Sequence, residues 1–244
     1  MQVLSFSDYH NLSDFAASQI AFAIKNNPSL TLCMASGHTP SLTCDLLVKK
    51  LKEENIDYSS LHFLGLDEWA GLPPANEGSC HYFFQTKLFG PLQLDASQYF
   101  LFDAMADDLV NECNKMDEHI KKIGGIDMML VGIGMNGHIG FNEPGTPFNS
   151  FCHVARLDET TKTVGQKYFT EKMELTKGIT IGLRHLLAAK KALLQANGIK
   201  KATVIQQAVE GLVTETFPAS IMQQHTNGFI LVDEEAGSFL NKTH

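Results

Sequence analysis

Several residue types that can move protons or hold an anion fall at places where the chain turns. Histidine titrates near neutral pH and can carry protons both ways. In the run Gly132-Ile133-Gly134-Met135-Asn136-Gly137-His138-Ile139-Gly140-Phe141-Asn142-Glu143-Pro144, the pair His138 and Glu143 can converge in a loop without helical geometry. A carboxylate placed so would orient the imidazole and raise its pKa. Asp67-Glu68 follow an apolar run and precede Trp69-Ala70-Gly71-Leu72-Pro73. Such a pair contains either a general base or two solvated acids in a turn. Ser36-Gly37-His38-Thr39-Pro40 offers a sharp turn at Gly37, a hydroxyl at Thr39 and free N–H groups where a helix begins. It is either an anion cradle or a strand-to-helix turn that binds nothing. Thr39 is expected to cap that helix, with Pro40 at its first position.

Gly132 to Gly137 also match the G-x-G-x-x-G pattern, with Asp158 about 20 residues on. That fingerprint has to open a helix near the first strand–helix turn. Here it lies mid-chain and runs into Gly140, Pro144, Gly145 and Pro147, which cannot continue one. A nicotinamide cofactor is therefore not expected. His10, His62, His81 and His119 read as surface or packing residues, and no His pair shows metal-ligand spacing with a third partner, so no metal is expected.

Positioning these groups requires strands that end where the motifs begin. Short apolar runs predict strands at Leu30–Ser36, His62–Leu66, Tyr99–Phe102, Ile126–Ile133, Ile179–Leu183, Ala192–Ala196 and Phe229–Val232. Helical patterns lie between them, at Asp8–Asn26, Pro40–Glu54, Ser79–Phe89, Asp107–Ile123, Lys200–Glu210 and Pro218–His225. Strands separated by helices imply crossovers. The expected fold is α/β: a single-domain, Rossmann-like open sheet over residues 1–244, mainly parallel, with helices on both faces. In such sheets ligands sit beyond the carboxyl ends of the strands, where these motifs fall.

Composition sets the outer limits. Of 244 residues, 44% are apolar and 19% charged, enough for a substantial core. The net charge of -8 argues against a nucleic-acid surface but leaves room for a small anion held by local Lys and N–H groups. The five cysteines, Cys33, Cys44, Cys80, Cys113 and Cys152, are irregularly spaced and read as free thiols of a reducing, cytoplasmic compartment. The start MQVLSFSDYHNLSDF lacks the basic and apolar regions of a secretory signal, and no apolar run reaches the about 18 residues of a membrane span.

Taken together, the segments SGHTP, LDEWAGLPPANEGSCHYFF and GIGMNGHIGFNEPGTPF, in that order, resemble the glucosamine-6-phosphate deaminase/isomerase family. A later stretch, Gly198-Ile199-Lys200-Lys201-Ala202 running to Ala208-Val209-Glu210-Gly211, also matches, so the resemblance spans about Leu30 to Val232. It implies isomerisation and deamination of a 2-amino-2-deoxyhexose 6-phosphate to a ketose 6-phosphate and ammonia, without a cofactor. It implies that Asp67 moves a proton between C1 and C2, that His138 opens the sugar ring, and that Glu143 is its carboxylate partner. It assigns phosphate contacts to the Ser36–Thr39 loop, with Gly37 and Thr39 foremost, and to Lys201. Lys167 falls where a basic ligand, usually Arg, lies in a mobile lid; Lys keeps the charge but loses the bidentate geometry. His38 stands where a second Gly is usual, and Asn136 where an Asp usually precedes Gly-His. The Asn form looks more like galactosamine-6-phosphate isomerases, so the C4 epimer is an alternative substrate. Phe151-Cys152-His153-Val154-Ala155 lacks the basic pair of allosteric hexameric members, which implies a monomer or small homo-oligomer without activation by an N-acetyl amino-sugar phosphate. A 6-phosphogluconolactonase-type hydrolase is the nearest rival, and Phe141-Asn142-Glu143-Pro144 speaks against it. A non-catalytic sugar-phosphate sensor is the other, against which Asp67, His138 and Glu143 all stand.

Overall fold

Strands alternate side chains between two faces, so a strand buried on both sides must feed two cores. The computed structural model, which describes residues 1–241, shows this in every central strand. The strands are β1 (Gln2–Phe6), β2 (Thr31–Met34), β3 (His62–Gly65), β4 (Asp67–Trp69), β5 (Tyr99–Phe100), β6 (Met128–Val131), β7 (His153–Arg156), β8 (Lys177–Thr180), β9 (Lys191–Ala196) and β10 (Gly228–Asp233). The helices are α1 (Tyr9–Asn26), α2 (His38–Glu53), α3 (Cys80–Phe84), α4 (Gly90–Leu92), α5 (Leu109–Lys122), α6 (Glu159–Gly165), α7 (Leu183–Ala188) and α8 (Ala202–Glu210). Leu32, Met34, Met128, Leu130 and Leu193 pack on one side with Leu12, Ile20 and Ile24 of α1 and Leu47 and Leu51 of α2. Cys33, Met129, Val131 and Leu194 pack on the other with Met116 and Ile120 of α5 and Ile205 and Ala208 of α8.

Seven strands form one sheet in the order β1-β10-β9-β6-β2-β3-β5, and each pairing in it is parallel. The expected α/β open sheet with helices on both faces is therefore present. The order reverses between β2 and β6: the chain first builds outward through β3 and β5, then returns to the other side of β2. Among the described residues no helix is long and apolar enough to cross a membrane.

Local differences from the sequence reading have physical causes. A second, antiparallel sheet, β4-β8-β7, was not anticipated. Asp67–Trp69 is a strand of that sheet, not a turn, and three residues are too few to show a period. The expected strand Ile179–Leu183 is displaced: β8 ends at Thr180, joins the small sheet, and Leu183 opens α7. Gly178 in β8 is required by packing, since a Cβ there would lie 2.3 Å from the Phe141 ring. Thr39 does not cap α2. The helix starts at His38 with Gly37 at the N-cap, φ +110°, so Pro40 sits in the first turn but not first in it. Ser79–Phe89 is an α-helical turn followed by a π-helical turn at Gln85–Phe89, and Pro218–Gln224 is 3₁₀. Strands β1 and β7 and helices α6 and α7 were missed, the first two because they read as mixed polar and apolar runs.

Candidate active site

The carboxyl ends of four neighbouring strands, β9, β6, β2 and β3, each lead into one of the marked segments. β2 leads to Ser36–Thr39, β3 to Asp67, β6 to Gly132–Glu143 and β9 to Asn197–Lys201. The strand-order reversal lies between β2 and β6, the place where an open parallel sheet leaves a crevice. Cross-links tie the loops together. Thr39 Oγ1 donates to Asn197 Oδ1 at 3.1 Å, and Lys201 Nζ donates to the Ile133 carbonyl at 2.5 Å.

One side of the crevice is built for an anion. α2 presents the N–H groups of His38 and Thr39 at its N-terminus, while Pro40 has none to offer. Tyr9 hydroxyl donates to the carbonyls of His38 and Thr39 at 3.0 and 2.9 Å, fixing that first turn. The His38 ring stacks on Tyr9, centroids 6.0 Å apart, so its imidazole is engaged on α1, away from the loop's N–H groups. Burial, and then the charge of Lys167, push the Lys201 ammonium down to about 8. Burial, with Lys200's charge added, also lowers Lys167. Two cations that disfavour each other's charge are suited to a dianion between them. Tyr168 hydroxyl lies over the loop in hydrogen-bond contact with the His38 backbone, and a Cβ on Gly37 would sit 2.9 Å from it.

The other side gathers titratable groups. Burial, then the charge of Glu68, push the Asp67 carboxyl up to about 7, partly offset by the Cys80 thiol, whose Sγ donates to Asp67 Oδ1 at 3.8 Å. Glu68 has a different role. Its carboxylate accepts from the backbone N–H groups of Trp69, Cys80 and His81 at 2.9, 3.0 and 2.8 Å, anchoring the start of α3. His138 Nδ1 is shared between Thr161 Oγ1 at 3.0 Å and Glu143 Oε2 at 3.4 Å. The carboxylate calls for the proton on Nδ1, which leaves Nε2 as the reacting atom. The ring lies flat against Gly134, where a Cβ would be 2.4 Å from Nε2. Glu143 is 7% exposed. Burial pushes its carboxyl up, but His138, Thr161 and Asn136 outweigh that and hold it below the ordinary value. Asn136 Nδ2 donates to Glu143 Oε2 at 2.8 Å, and its Oδ1 accepts from the His138 backbone N–H at 3.2 Å. The loop is seated beside Asp67 through Gly140, φ +58°, where a Cβ would come within 3.2 Å of Leu66.

Ser36–Thr39, Asp67, Asn136, His138, Glu143 and Lys201 lie on segments leaving these strand ends, and the charge of Lys167 is felt by Lys201. Sequence reading missed Cys80, Thr161, Tyr168 and Asn197, which touch the marked groups from elsewhere in the chain and carry no local signal. A cavity of about 320 Å³ lies behind Glu143, lined also by Pro144, Ser150, His153 and Arg156, and is separate from the Asp67 side.

Fold and site together define an α/β open-sheet protein whose lysines, helix N-terminus, carboxyls and histidine gather at its strand-order reversal. Residues 8–231 match the family model for glucosamine-6-phosphate isomerases and 6-phosphogluconolactonases, and the chain belongs to that family. It is 42% identical to a glucosamine-6-phosphate deaminase of Bacillus pumilus over 98% of this chain and 99% of that one. It is 36% identical to glucosamine-6-phosphate deaminase 1 of Bacillus subtilis, covering 98% and 99%. A solved structure of a monomeric glucosamine-6-phosphate deaminase superposes with a TM-score of 0.95 at 36% identity, covering 98% of this chain and all of that one. A 6-phosphogluconolactonase of Trypanosoma brucei shares the fold, with a TM-score of 0.74 at 18% identity over 98% of each chain.

Proposed function

We propose that this chain is an amino-sugar-6-phosphate isomerase and deaminase, acting on glucosamine 6-phosphate. The observation that carries the reading is a carboxyl raised to about 7, Asp67, just after β3, together with a carboxylate-backed histidine, His138, in the β6 loop that packs on Leu66 through Gly140. Relatives at 36–42% identity that bear the deaminase name support the substrate class. The substrate phosphate binds between Lys201, Lys167 and the N–H groups at Gly37–Thr39, while Ser36 steadies the Cys80 thiol beside Asp67. Binding energy from that remote group positions the reacting carbons. His138 Nε2 takes the proton of the anomeric hydroxyl and returns it to the ring oxygen as the C1–O5 bond breaks, giving the open-chain aldehyde. Glu143 holds the transient imidazolium. Asp67 then takes the C2 proton as the 2-ammonium group passes a proton to the C1 oxygen, forming a neutral enolamine, and delivers the C2 proton to C1, which becomes CH2OH while C2 becomes the protonated imine. The resulting ketimine adds water and releases ammonia and the ketose 6-phosphate. These steps need side chains and water alone.

The C4 epimer, galactosamine 6-phosphate, is the second substrate to test. Asn136 gives it less support than its sequence position suggests, because both ends of its amide are engaged within the loop. A monomer in the cytoplasm fits the neighbour described as monomeric and the five free, buried thiols. The deciding experiment measures ammonia release from both epimers side by side, with 6-phosphogluconolactone hydrolysis as the control. Ammonia from glucosamine 6-phosphate is expected. Lactone hydrolysis without ammonia from either sugar would overturn the proposal.

A further inference from the structure

Away from the Asp67 and His138 side chains, three groups from distant parts of the chain meet beside the small sheet. Asp117 comes from α5, Cys152 from the residue before β7, and His185 from the first turn of α7. Their donor atoms, one oxygen, one sulfur and one nitrogen, all lie within 4.8 Å of one another. His185 Nε2 is 2.6 Å from Asp117 Oδ1. The Cys152 backbone N–H donates to the same oxygen at 3.2 Å, and the Cys152 thiol is also in hydrogen-bond contact with Asp117. The backbone N–H of Gly182 points at the sulfur. Cys152 is 8% exposed, and the side chains of His185 and Asp117 are 12% and 22% exposed. Phe151 closes over the His185 ring edge-on, centroids 5.7 Å apart.

A hydrogen-bonded His–Asp pair beside a buried thiol would explain the short contact alone. Asp117 thus holds both the thiol and the imidazole, and one oxygen, one sulfur and one nitrogen lie within 4.8 Å of one another, a set that a metal ion takes. Zinc binds such a set with Zn–S of about 2.3 Å and Zn–N or Zn–O of about 2.0–2.2 Å, which places the donors about 3.3–3.7 Å apart. The cluster reaches that by opening the His185–Asp117 contact slightly and drawing the sulfur in. Charge agrees as well. Thiolate, carboxylate and neutral imidazole sum to two negative charges, which a dication cancels in a mostly buried place. Calcium and magnesium require six or more oxygen ligands and are excluded by the sulfur and nitrogen. Sequence reading found no metal-ligand set because Cys152 and His185 stand 35 and 68 residues from Asp117.

We propose that Asp117, Cys152 and His185 form a site for a zinc-class divalent metal, with water as the fourth ligand. Binding exchanges the thiol proton for the metal: the S–H bond breaks, an S–metal bond forms and one proton is released. The bound ion fastens α5, the segment leaving the Asn142-Glu143-Pro144 loop, and α7 to one another.

Cobalt(II) titration of the chelator-treated, tag-free full chain tests this. One equivalent is expected to bind, giving visible bands of a four-coordinate ion and a near-ultraviolet thiolate-to-cobalt band. Zinc should displace it stoichiometrically and raise the melting temperature. Cys152→Ser should lose the near-ultraviolet band, and His185→Gln should weaken binding. The proposal is overturned if the wild-type chain binds no stoichiometric cobalt. It is equally overturned if the bound ion shows no thiolate band, or if both variants titrate like the wild type. The wild-type spectrum alone decides if a variant fails to fold.

Discussion

A residue tuned for catalysis by burial should cost stability, and Asp67 allows that cost to be worked out. Its carboxyl is raised from an ordinary 3.8 to about 7, with burial the first cause and the adjacent Glu68 charge the second. One unit is worth about 1.4 kcal/mol, so a shift of about 3 units sets a ceiling of about 4 kcal/mol. Asp67 keeps partial access to the crevice, so about 1–3 kcal/mol is the working figure. The sign follows from linkage. Below about pH 4 the carboxyl is protonated in both native and unfolded chains and costs nothing. As pH rises towards about 7 the unfolded chain ionises freely while the native one resists, and stability falls. Above that the loss is complete and constant. Asp67→Asn has no charge to bury. It should match the wild type at pH 4 and be more stable at pH 8.5, by about 3–10 °C in Tm for a chain of this size. Its turnover should fall by about 10²–10⁴-fold. Differential scanning fluorimetry at four or five pH values, beside an ammonia-release assay, reads both effects. A Tm difference independent of pH, or a less stable variant at pH 8.5, would refute the electrostatic reasoning. Stabilisation with full turnover would refute the catalytic one.

Other residues give separate expectations. Lys201 loses its proton near pH 8, so KM for the phosphorylated sugar should rise above that pH, and Lys201→Ala should raise KM by about 10–150-fold at pH 7; a KM flat from pH 7 to 9 would count against Lys201 as the anchor. Gly37→Ala places a side chain at φ +110° and against Tyr168 hydroxyl, so it should destabilise by about 1–2 kcal/mol and raise KM, checked by chemical denaturation and kinetics. Glu143→Gln should lower kcat and also flatten the acid side of the stability profile, because Glu143's lowered pKa stabilises the native chain at neutral pH and loses that contribution as pH falls below about 4. Asn136→Asp sets a second carboxylate against Glu143 where an amide donated before, and should lower kcat by turning Glu143 away from His138. An unchanged kcat would mean residue 136 does not act on His138 through Glu143.

The sheet and its helices were legible because their signals are long. Strands such as Met128–Val131 are continuous apolar runs, and α1 and α5 carry sustained periodicity between clear caps at Asp8 and Asp108. The loops of the site were legible because glycine marks turns that other residues resist, as at Gly37 and Gly140. The small sheet was not, since its strands are three or four residues long and pair antiparallel with segments far away in sequence. Contacts that set chemistry were the least legible. Thr161 reaches His138 across 23 residues, and Lys201 spans 68 to Ile133. Nothing in the sequence around Thr161 marks it as a partner of an imidazole.

Asp67 and Glu68 show what a sequence leaves open and how the fold decides it. Adjacent carboxylates are chemically near-identical, and either could be the base. Their placement on β4 separates them, because successive side chains of a strand point to opposite faces. Glu68, 4% exposed, turns inward and meets three backbone N–H groups, which satisfy it and hold the start of α3. A carboxylate so engaged has few lone pairs left for a substrate proton. Asp67 turns the other way and, among the described residues, its carboxylate has the weak Cys80 thiol as its donor. It keeps its basicity and gains more from the like charge next to it. The pairing Asp67↔Thr180 and Glu68↔Ile179 fixes this choice, and a slip of one residue would exchange the two roles. The short strand that sequence reading left open as either a strand-end base or a turn is therefore the element that engages one acid with backbone N–H groups and leaves the other without them.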